Sequence, residues 1–350
     1  MRSKQVIPQN KYFIFIILLC VMLFILVILS FSMGRFSKLA VIDIPKILIN
    51  QIHPVFEEQW TNIDKSVVLN LRFPRILAAV IVGASLAVSG MSYQALFSNP
   101  IASSDSLGVS SSAAFGAVLG FLFNWNILSV KLLSFVIGCI SVFSVYFIAS
   151  KMSNKRHLTI FLILIGMVVS ALFSAMLSIM KYIADPIDQL PKITYWLMGS
   201  MSNVQLTDIP FCLAFFIIGI TPLFMLRWRM NLLVLSDAEA KSIGENINLL
   251  RLITILSATL LTSSSVAMTG GISWIGLVIP HISRLLVGND SRRLLPVSML
   301  LGGFFLLGMD DIARTITVYE LPISILTSLI GAPIFFSILI WRRRQIINDD

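Results

Sequence analysis

Long apolar stretches without a charged residue recur along the chain, and the short segments between them carry most of the charge. Nine of these stretches are of membrane-spanning length, since a hydrocarbon core of about 30 Å needs roughly 20 apolar helical residues. They cover residues 12–33, 76–97, 107–130, 132–150, 158–180, 209–226, 252–283, 294–309 and 321–341. The pattern predicts an all-α, polytopic membrane protein whose helices form one bundle.

One stretch is too long for a single crossing. Residues 252–283 make up 32 positions, which exceed the core thickness at about 1.5 Å of helical rise per residue. Gly270 and Gly271 supply a break, and Pro280 is expected to bend the helix that follows. We therefore expect two helices here and about ten transmembrane helices in total.

Charge in the loops predicts the orientation. If the N-terminus is cytoplasmic, 16 of the 26 Lys and Arg residues fall on the inner side, as the positive-inside rule requires. The C-terminus then also lies in the cytoplasm, where the basic run 342–344 follows the last helix. The segment 42–52 is too short and polar to cross, and we expect it at the outer surface. The first stretch, 12–33, exceeds the roughly 7–15 residues of a signal-peptide core and is predicted to span.

Composition strengthens the membrane assignment. The chain is 57% hydrophobic and 12% charged, with a mean hydropathy of +0.91, whereas a soluble domain has roughly 25% charged residues. The net charge of +9 is spread between apolar stretches, which argues against nucleic-acid binding. No predicted inner loop is long enough for a soluble catalytic domain, so residues 1–350 are interpreted as one transmembrane domain.

Chemistry-bearing motifs are scarce. The sequence contains no GxxxxGK[ST] loop for a nucleotide and no HExxH pair for zinc, and we expect no metal site, cofactor or catalytic residue. Asp310 and Asp311 follow the stretch 294–309, and Asp311 is one helical turn from Arg314, which predicts a local ion pair. An ion-coupled carrier needs ionisable groups at membrane depth, and these are nearly absent. Any energy for transport is therefore expected from another subunit.

The polar segment 235–244 carries a dense set of helix signals. Ser236 is a good N-cap, Glu239 completes a capping box, and Gly244 suits a left-handed C-cap. Asp237 near the start and Lys241 near the end, on either side of Ala240, suit the helix dipole. The segment is either a solvated connector or a short rigid helix that contacts a cytoplasmic partner.

Ordered motifs along the chain resemble the FecCD-type permease family, the membrane subunits of type II ABC importers for iron-siderophores, haem, cobalamin and some oxyanions. The motifs are RFPR at 72–75, GASLAVSG at 83–90, QALFSNP at 94–100, LGVSS at 107–111, WLMGS at 196–200, GISWIGLVIPH at 271–281, RLLP at 293–296, DIAR at 311–314, ELP at 320–322 and LIGAP at 329–333. The resemblance covers about 70–344, with 1–69 forming the first helix and an outer loop. Two segments depart from the family pattern: 103–106 and Ser273–Trp274.

The resemblance implies partners and site residues. It implies a homodimer with a translocation path at its axis, two cytoplasmic ATP-binding subunits that hydrolyse ATP, and an extracellular or periplasmic substrate-binding protein. Arg72, Arg75 and Arg314 would dock that binding protein, whereas the residues alone favour interfacial arginines whose charged ends reach the membrane surface. The segment 235–244 would be the coupling helix for the ATPase subunits.

The same resemblance implies structural roles for two further groups of residues. His281 and Arg284 would pack near the ATPase contact, and Gly270, Gly271 and Pro280 would shape a broken helix. The substrate expected first is an iron(III)-siderophore, followed by haem, cobalamin or a molybdate-type oxyanion. The alternative of a different class is a secondary transporter.

Overall fold

The computed structural model describes residues 7–8, 11–34, 43–51, 53, 55–57, 60–152, 158–235, 239, 242, 244–317 and 319–349. Within these residues the protein is helical and has no strand. Its α-helices are α1 (Tyr12–Ser32), α2 (Asp43–Asn50), α3 (Asn62–Ser66), α4 (Phe73–Leu96), α5 (Val109–Leu122), α6 (Ile127–Met152), α7 (Leu158–Ile183), α8 (Gln189–Leu197), α9 (Ile209–Leu226), α10 (Ile247–Thr269), α11 (Ile275–Val287), α12 (Ser291–Ile316) and α13 (Ile323–Asp349).

These helices account for the predicted crossings. Seven helical segments are long and apolar enough to cross a membrane. Three shorter apolar helices lie at Val109–Leu122, Ile275–Val287 and Ile323–Ile338. The prediction of an all-α, polytopic membrane protein is confirmed.

Contacts between helix ends fix the relative directions of α1 and α12. The Tyr12 hydroxyl donates to the Arg293 carbonyl at 3.3 Å, joining the starts of the two helices. The Ser30 hydroxyl donates to Asp311 at 2.6 Å, joining their far ends. We call the end with Tyr12 and Arg293 the inner end, because the expected orientation puts it in the cytoplasm, and the opposite end the outer end.

Several boundaries differ from the prediction. The stretch 107–130, predicted as one helix, contains a turn, because α5 ends at Leu122 and α6 begins at Ile127. The Asn126 side chain accepts a hydrogen bond from the Ser129 amide at 2.9 Å, which starts α6 without a charged residue. The ninth helix was predicted to end at 309 but continues to Ile316. The short helix α8 was not predicted at all.

The predicted break after α10 is present, and it lies at the glycines only. The helix ends at Thr269, and Gly270 has φ +73, a conformation that glycine adopts without strain. A Cβ at Gly270 would overlap the Trp196 carbonyl oxygen. Pro280 lies inside α11, which runs as one helix from Ile275 to Val287, so the helix does not break at the proline.

Glycines bring α4 against two other helices. A Cβ on Gly83 of α4 would overlap the Gly302 carbonyl of α12, and a Cβ on Gly90 would overlap the Gly276 carbonyl of α11. Such close backbone approach is how membrane helices associate when burial from water gives no drive. The small residues of α4 therefore let it pack closely against both α11 and α12.

Other helices have broad exposed apolar faces. On α7 only Leu158, Leu162 and Gly166 are buried, so most of its apolar side chains require lipid or another protein surface. Of the segment 42–52, the structure describes residues 43–51, which contain an eight-residue helix that is too short to cross. Its helix α2 buries Ile44 and Ile47 among side chains of α4 and α12.

Candidate functional site

Three arginines and three carboxylates form a cluster at the outer end of the bundle. We call it the outer ion-pair cluster; its members are Arg72, Arg75, Asp310, Asp311, Arg314 and Glu320. Arg75 is at its centre. Its Nε and Nη2 donate to the two carboxylate oxygens of Asp310 at 2.9 and 2.8 Å, and its Nη1 donates to Glu320 at 2.7 Å. This forked geometry is the strongest that arginine makes with carboxylates.

The remaining arginines join α1 to the cluster. Arg314 contacts Asp311 on its own helix, which is the ion pair that the sequence predicted, and donates to the Ser30 carbonyl of α1 at 2.7 Å. Arg72 donates to the Phe31 carbonyl, also on α1. The cluster therefore ties α1, the start of α4 and the end of α12 together by charge-assisted hydrogen bonds.

The docking role predicted for Arg72, Arg75 and Arg314 stays a prediction. These residues are only 4%, 9% and 8% exposed, and each guanidinium contacts another part of the same chain. A carboxylate of a partner would reach them only by displacing one of these contacts. Among the carboxylates of the cluster, Glu320 is the most accessible, with 34% of its side chain exposed.

A second buried ion pair at the outer end was missed by the sequence reasoning. Lys131, in the first turns of α6, donates to Asp208 at 2.6 Å, and their side chains are 5% and 9% exposed. The Asp208 carboxylate also accepts a hydrogen bond from the Gln205 amide at 2.8 Å. The one available signal was a lysine directly next to an apolar stretch, where desolvation demands a partner.

A polar network connects three helices at the inner end. Arg284 of α11 donates to the side-chain carbonyl of Gln94 on α4 and lies 2.8 Å from Nδ1 of His281. The Gln94 amide in turn donates to the Gly276 carbonyl at 3.2 Å. The His281 ring stacks on Phe335 of α13, with ring centroids 5.2 Å apart. The structure thus places His281 and Arg284 on one face and in mutual contact; their proximity to an ATPase stays a prediction.

The segment predicted as a coupling helix lies partly outside the described residues. This holds for four of its predicted residues: Ser236, Asp237, Ala240 and Lys241. Glu239 is helical, and its carbonyl accepts a hydrogen bond from the Ser242 hydroxyl at 2.6 Å. Gly244 has φ +80, the left-handed conformation expected of a C-cap glycine.

Both flanks of this segment are anchored at the inner end. Arg229 lies 3.2 Å from Glu245 across the segment, and Asn231 donates to Asp290 at 2.8 Å. Burial acts to raise the pKa of Asp290, but hydrogen bonds from Asn231 and the Arg292 amide and the Arg292 charge outweigh it and lower that pKa. The anchoring carboxylate is therefore ionised at neutral pH.

No arrangement for metal chemistry is found in the part of the chain that the structure describes, where no three His, Cys, Asp or Glu side chains lie close enough to hold an ion. The cysteines Cys20, Cys139 and Cys212 are all free thiols. The functional geometry therefore consists of ion pairs, a polar network and an anchored inner segment, on a bundle with no nucleotide motif of its own.

Comparison with known proteins adds relatives of the same size. Residues 21–342 match the model of the FecCD transport family. The chain is 38% identical over 327 residues to the molybdate import system permease protein MolB of Haemophilus influenzae, covering 93% of this chain and 95% of that protein. It is 39% identical over 283 residues to an iron chelatin transport system permease protein of Helicobacter pylori, covering 80% and 84%.

A solved structure described as an inward-facing conformation of a metal-chelate type ABC transporter is also similar. It superposes with a TM-score of 0.82 at 36% sequence identity, covering 93% of this chain and 98% of that one. The family match begins at residue 21, within α1, and so extends beyond the motifs recognised in the sequence.

Proposed function

The chain belongs to the FecCD transport family, and on that premise we propose that it is the membrane-spanning permease subunit of an ABC importer for metal chelates. Its substrate in this proposal is an iron(III)-siderophore, in line with the iron chelatin relative. The molybdate relative supports an oxyanion as the second candidate. Haem and cobalamin are the other substrates that the family resemblance implies.

The proposal depends on one observation: two properties occur together in this multi-pass bundle. Its sequence has no loop to bind a nucleotide, and it has an anchored segment at the inner end between α9 and α10. A protein that moves a solute against a gradient without binding ATP itself must receive work through a mechanical contact. The segment 235–244 is suited to that contact because its two flanks are joined by an ion pair, in which Arg229 Nε lies 3.2 Å from Glu245 Oε1.

Two ATP-binding subunits in the cytoplasm would hold this segment in each copy of a homodimer. The broad apolar face of α7, which buries only Leu158, Leu162 and Gly166 within its own chain, supports a second copy or lipid against it. By family resemblance α7 and α13 would line the path between the two copies. The complex would lie in the cell membrane, which is the inner membrane where a host has two.

Docking of a substrate-binding protein at the outer end is proposed through Arg72, Arg75 and Arg314. Because Arg75 is already paired with Glu320, an incoming carboxylate has to compete with Glu320 for the same guanidinium. Glu320→Gln is therefore expected to tighten docking severalfold. Surface plasmon resonance with the permease in nanodiscs measures this. Unchanged or weaker docking in Glu320→Gln would count against Arg75 as a docking residue.

Reconstitution tests the proposed function itself. The permease is placed in proteoliposomes with and without its ATPase subunits, and uptake of ferric siderophore is followed with ATP or with a proton or sodium gradient. Uptake is expected only with the ATPase and ATP. Uptake by the permease alone, driven by an ion gradient, would refute the proposal and identify a secondary transporter.

A further inference from the structure

A cavity of about 360 Å³ opens beside α4. One wall is the inner half of α4 at Leu86, Ser89 and Gly90. The facing wall is the break 271–274 between α10 and α11, together with Gly276 and Leu277 at the start of α11. The turn before α5, residues 103–110, closes a third side. The volume falls within the roughly 300–1,000 Å³ that small-molecule sites occupy.

Hydroxyl groups dominate the polar lining, so we call it the serine cavity. It is lined by Ser89, Ser103, Ser104, Ser110 and Ser273. The hydroxyls of Ser104 and Ser110 lie 3.2 Å apart across the turn, and the Ser103 amide donates to the Ser106 hydroxyl at 3.2 Å. These contacts give the turn one defined shape and hold its side chains in place.

Asp105 is the one charged residue in that lining. It is exposed, and none of the basic side chains that the structure describes forms an ion pair with it. A carboxylate in a concave site with apolar walls projects its potential further than one in open water, because the walls focus the field. The serine cavity therefore carries a negative charge that is not paired with any basic side chain in the described part of the chain.

The facing wall is strained. Trp274 has φ +72, a left-handed conformation that is unusual for a bulky residue and that is kept only where the surroundings enforce it. Its side chain would contact any Cβ placed on Gly331 of α13, and its ring lies 6.3 Å from that of Phe335. The α13 helix thus clamps the wall, as expected for a site that has to keep its shape.

We propose that the serine cavity is a charge-selective binding site for a metal chelate without net negative charge, and that Asp105 is its specificity-determining residue. The serine hydroxyls hydrogen-bond the polar groups of the chelate, while the carboxylate repels an oxyanion such as molybdate. The proposal rests on the proposed function, because the site selects what the permease carries. It assigns this chain to chelate transport and not to oxyanion transport.

Charge-selective thiol labelling tests the cavity without requiring transport. The three native cysteines are replaced by alanine, Ser104→Cys is introduced, and the full-length protein in nanodiscs reacts with a cationic and an anionic methanethiosulfonate of similar size. The ratio of the two rates cancels any change in thiol reactivity that both reagents share. Asp105→Asn is expected to lower the cationic-to-anionic ratio about tenfold, the effect of one unit charge over several ångströms.

The matched control is Glu57→Gln, which removes an exposed carboxylate outside the cavity and is expected to leave the ratio unchanged. Ser110→Cys reports from the same cavity if Ser104→Cys fails to fold. A ratio that does not move with Asp105→Asn, or that moves equally with Glu57→Gln, overturns the proposal.

Protection from labelling identifies the ligand class. Ferrioxamine B, a monocationic ferric trihydroxamate, is expected to slow labelling of Ser104→Cys at least fivefold more than molybdate does, and Asp105→Asn is expected to remove most of this difference. No protection by the chelate, or equal protection by molybdate, overturns the proposal. Since labelling uses neither ATP nor the ATPase, such a failure is distinct from a failure of the proposed function, which the proteoliposome experiment reports.

Discussion

The pairing of Arg75 with Asp310 makes a quantitative prediction about the outer end. Asp310 is fully buried and Arg75 nearly so, and the two share forked hydrogen bonds of 2.8–3.0 Å. Removing one member of such a pair leaves an uncompensated buried charge, which costs about 3–5 kcal/mol. We expect Asp310→Asn to fall near the lower end, about 3 kcal/mol, because Arg75 keeps Glu320 as a partner.

The two residues should behave as a coupled unit. Arg75→Met alone leaves Asp310 buried with Arg314 at 3.8 Å, and we expect a cost of about 4 kcal/mol. In the double variant the uncompensated charge is largely gone, so its cost should fall short of the sum by about 2–3 kcal/mol. The free energy of unfolding of the unchanged protein, the two single variants and the double variant is measured by SDS titration in mixed micelles, followed by tryptophan fluorescence.

Glu320 supplies the control, because it binds the same arginine from a more exposed position. Solvent screening limits its contribution, and Glu320→Gln should cost about 1 kcal/mol or less. Additive costs for Arg75→Met and Asp310→Asn, or a Glu320→Gln variant as unstable as Asp310→Asn, would refute the assignment of a coupled buried pair.

Three further predictions use matched positions in the chain. Gly302→Ala should destabilise the protein by about 1–3 kcal/mol, because the added methyl group forces α12 away from α4. Gly308→Ala is on the same helix but has no neighbour within 4 Å, so it should be neutral or stabilising by up to about 1 kcal/mol. SDS titration measures the stability of both variants, and equal effects would contradict the close approach of the two helices. By the same titration, Lys131→Met should lower the free energy of unfolding by about 3–5 kcal/mol, because it leaves Asp208 buried without its partner. Lys192→Met removes one member of a mostly exposed ion pair and should lower it by less than about 0.5 kcal/mol. A Lys131→Met variant as stable as the unchanged protein would contradict burial of the Lys131–Asp208 pair. Gly244→Pro should abolish uptake while ATP turnover continues, because proline cannot adopt φ +80, and Gly244→Asn should retain uptake; normal uptake in Gly244→Pro would argue against the coupling role.

Much of the fold was predictable because membrane insertion imposes one dominant pattern. Absence of charge over about 20 residues locates helices well when lipid is the solvent. The same criterion failed at 107–130, where the turn between α5 and α6, residues 123–126, contains no charged residue. Asn124, with φ 51, and Asn126, which caps α6, make a turn that a count of charges does not detect.

The polar contacts were harder to predict because their members are distant in sequence. The Asp311–Arg314 pair lies within one helical turn and was predicted, whereas Arg75 and Asp310 are separated by 235 positions and Lys131 and Asp208 by 77. A charged residue near the end of a helix indicates that a partner is needed, but it does not say which one. Only the packing of α4 against α12, and of α6 beside α9, decides the partner.

The glycine contacts of α4 determine which parts of the protein are free to move. Gly83 against Gly302 and Gly90 against Gly276 leave no gap into which α12 or α11 could slide, and the network from Gln94 to Arg284 adds a polar lock at the inner end. These three helices are therefore expected to move as one rigid unit. Spin labels on α4 and α12 should keep a constant separation throughout the transport cycle.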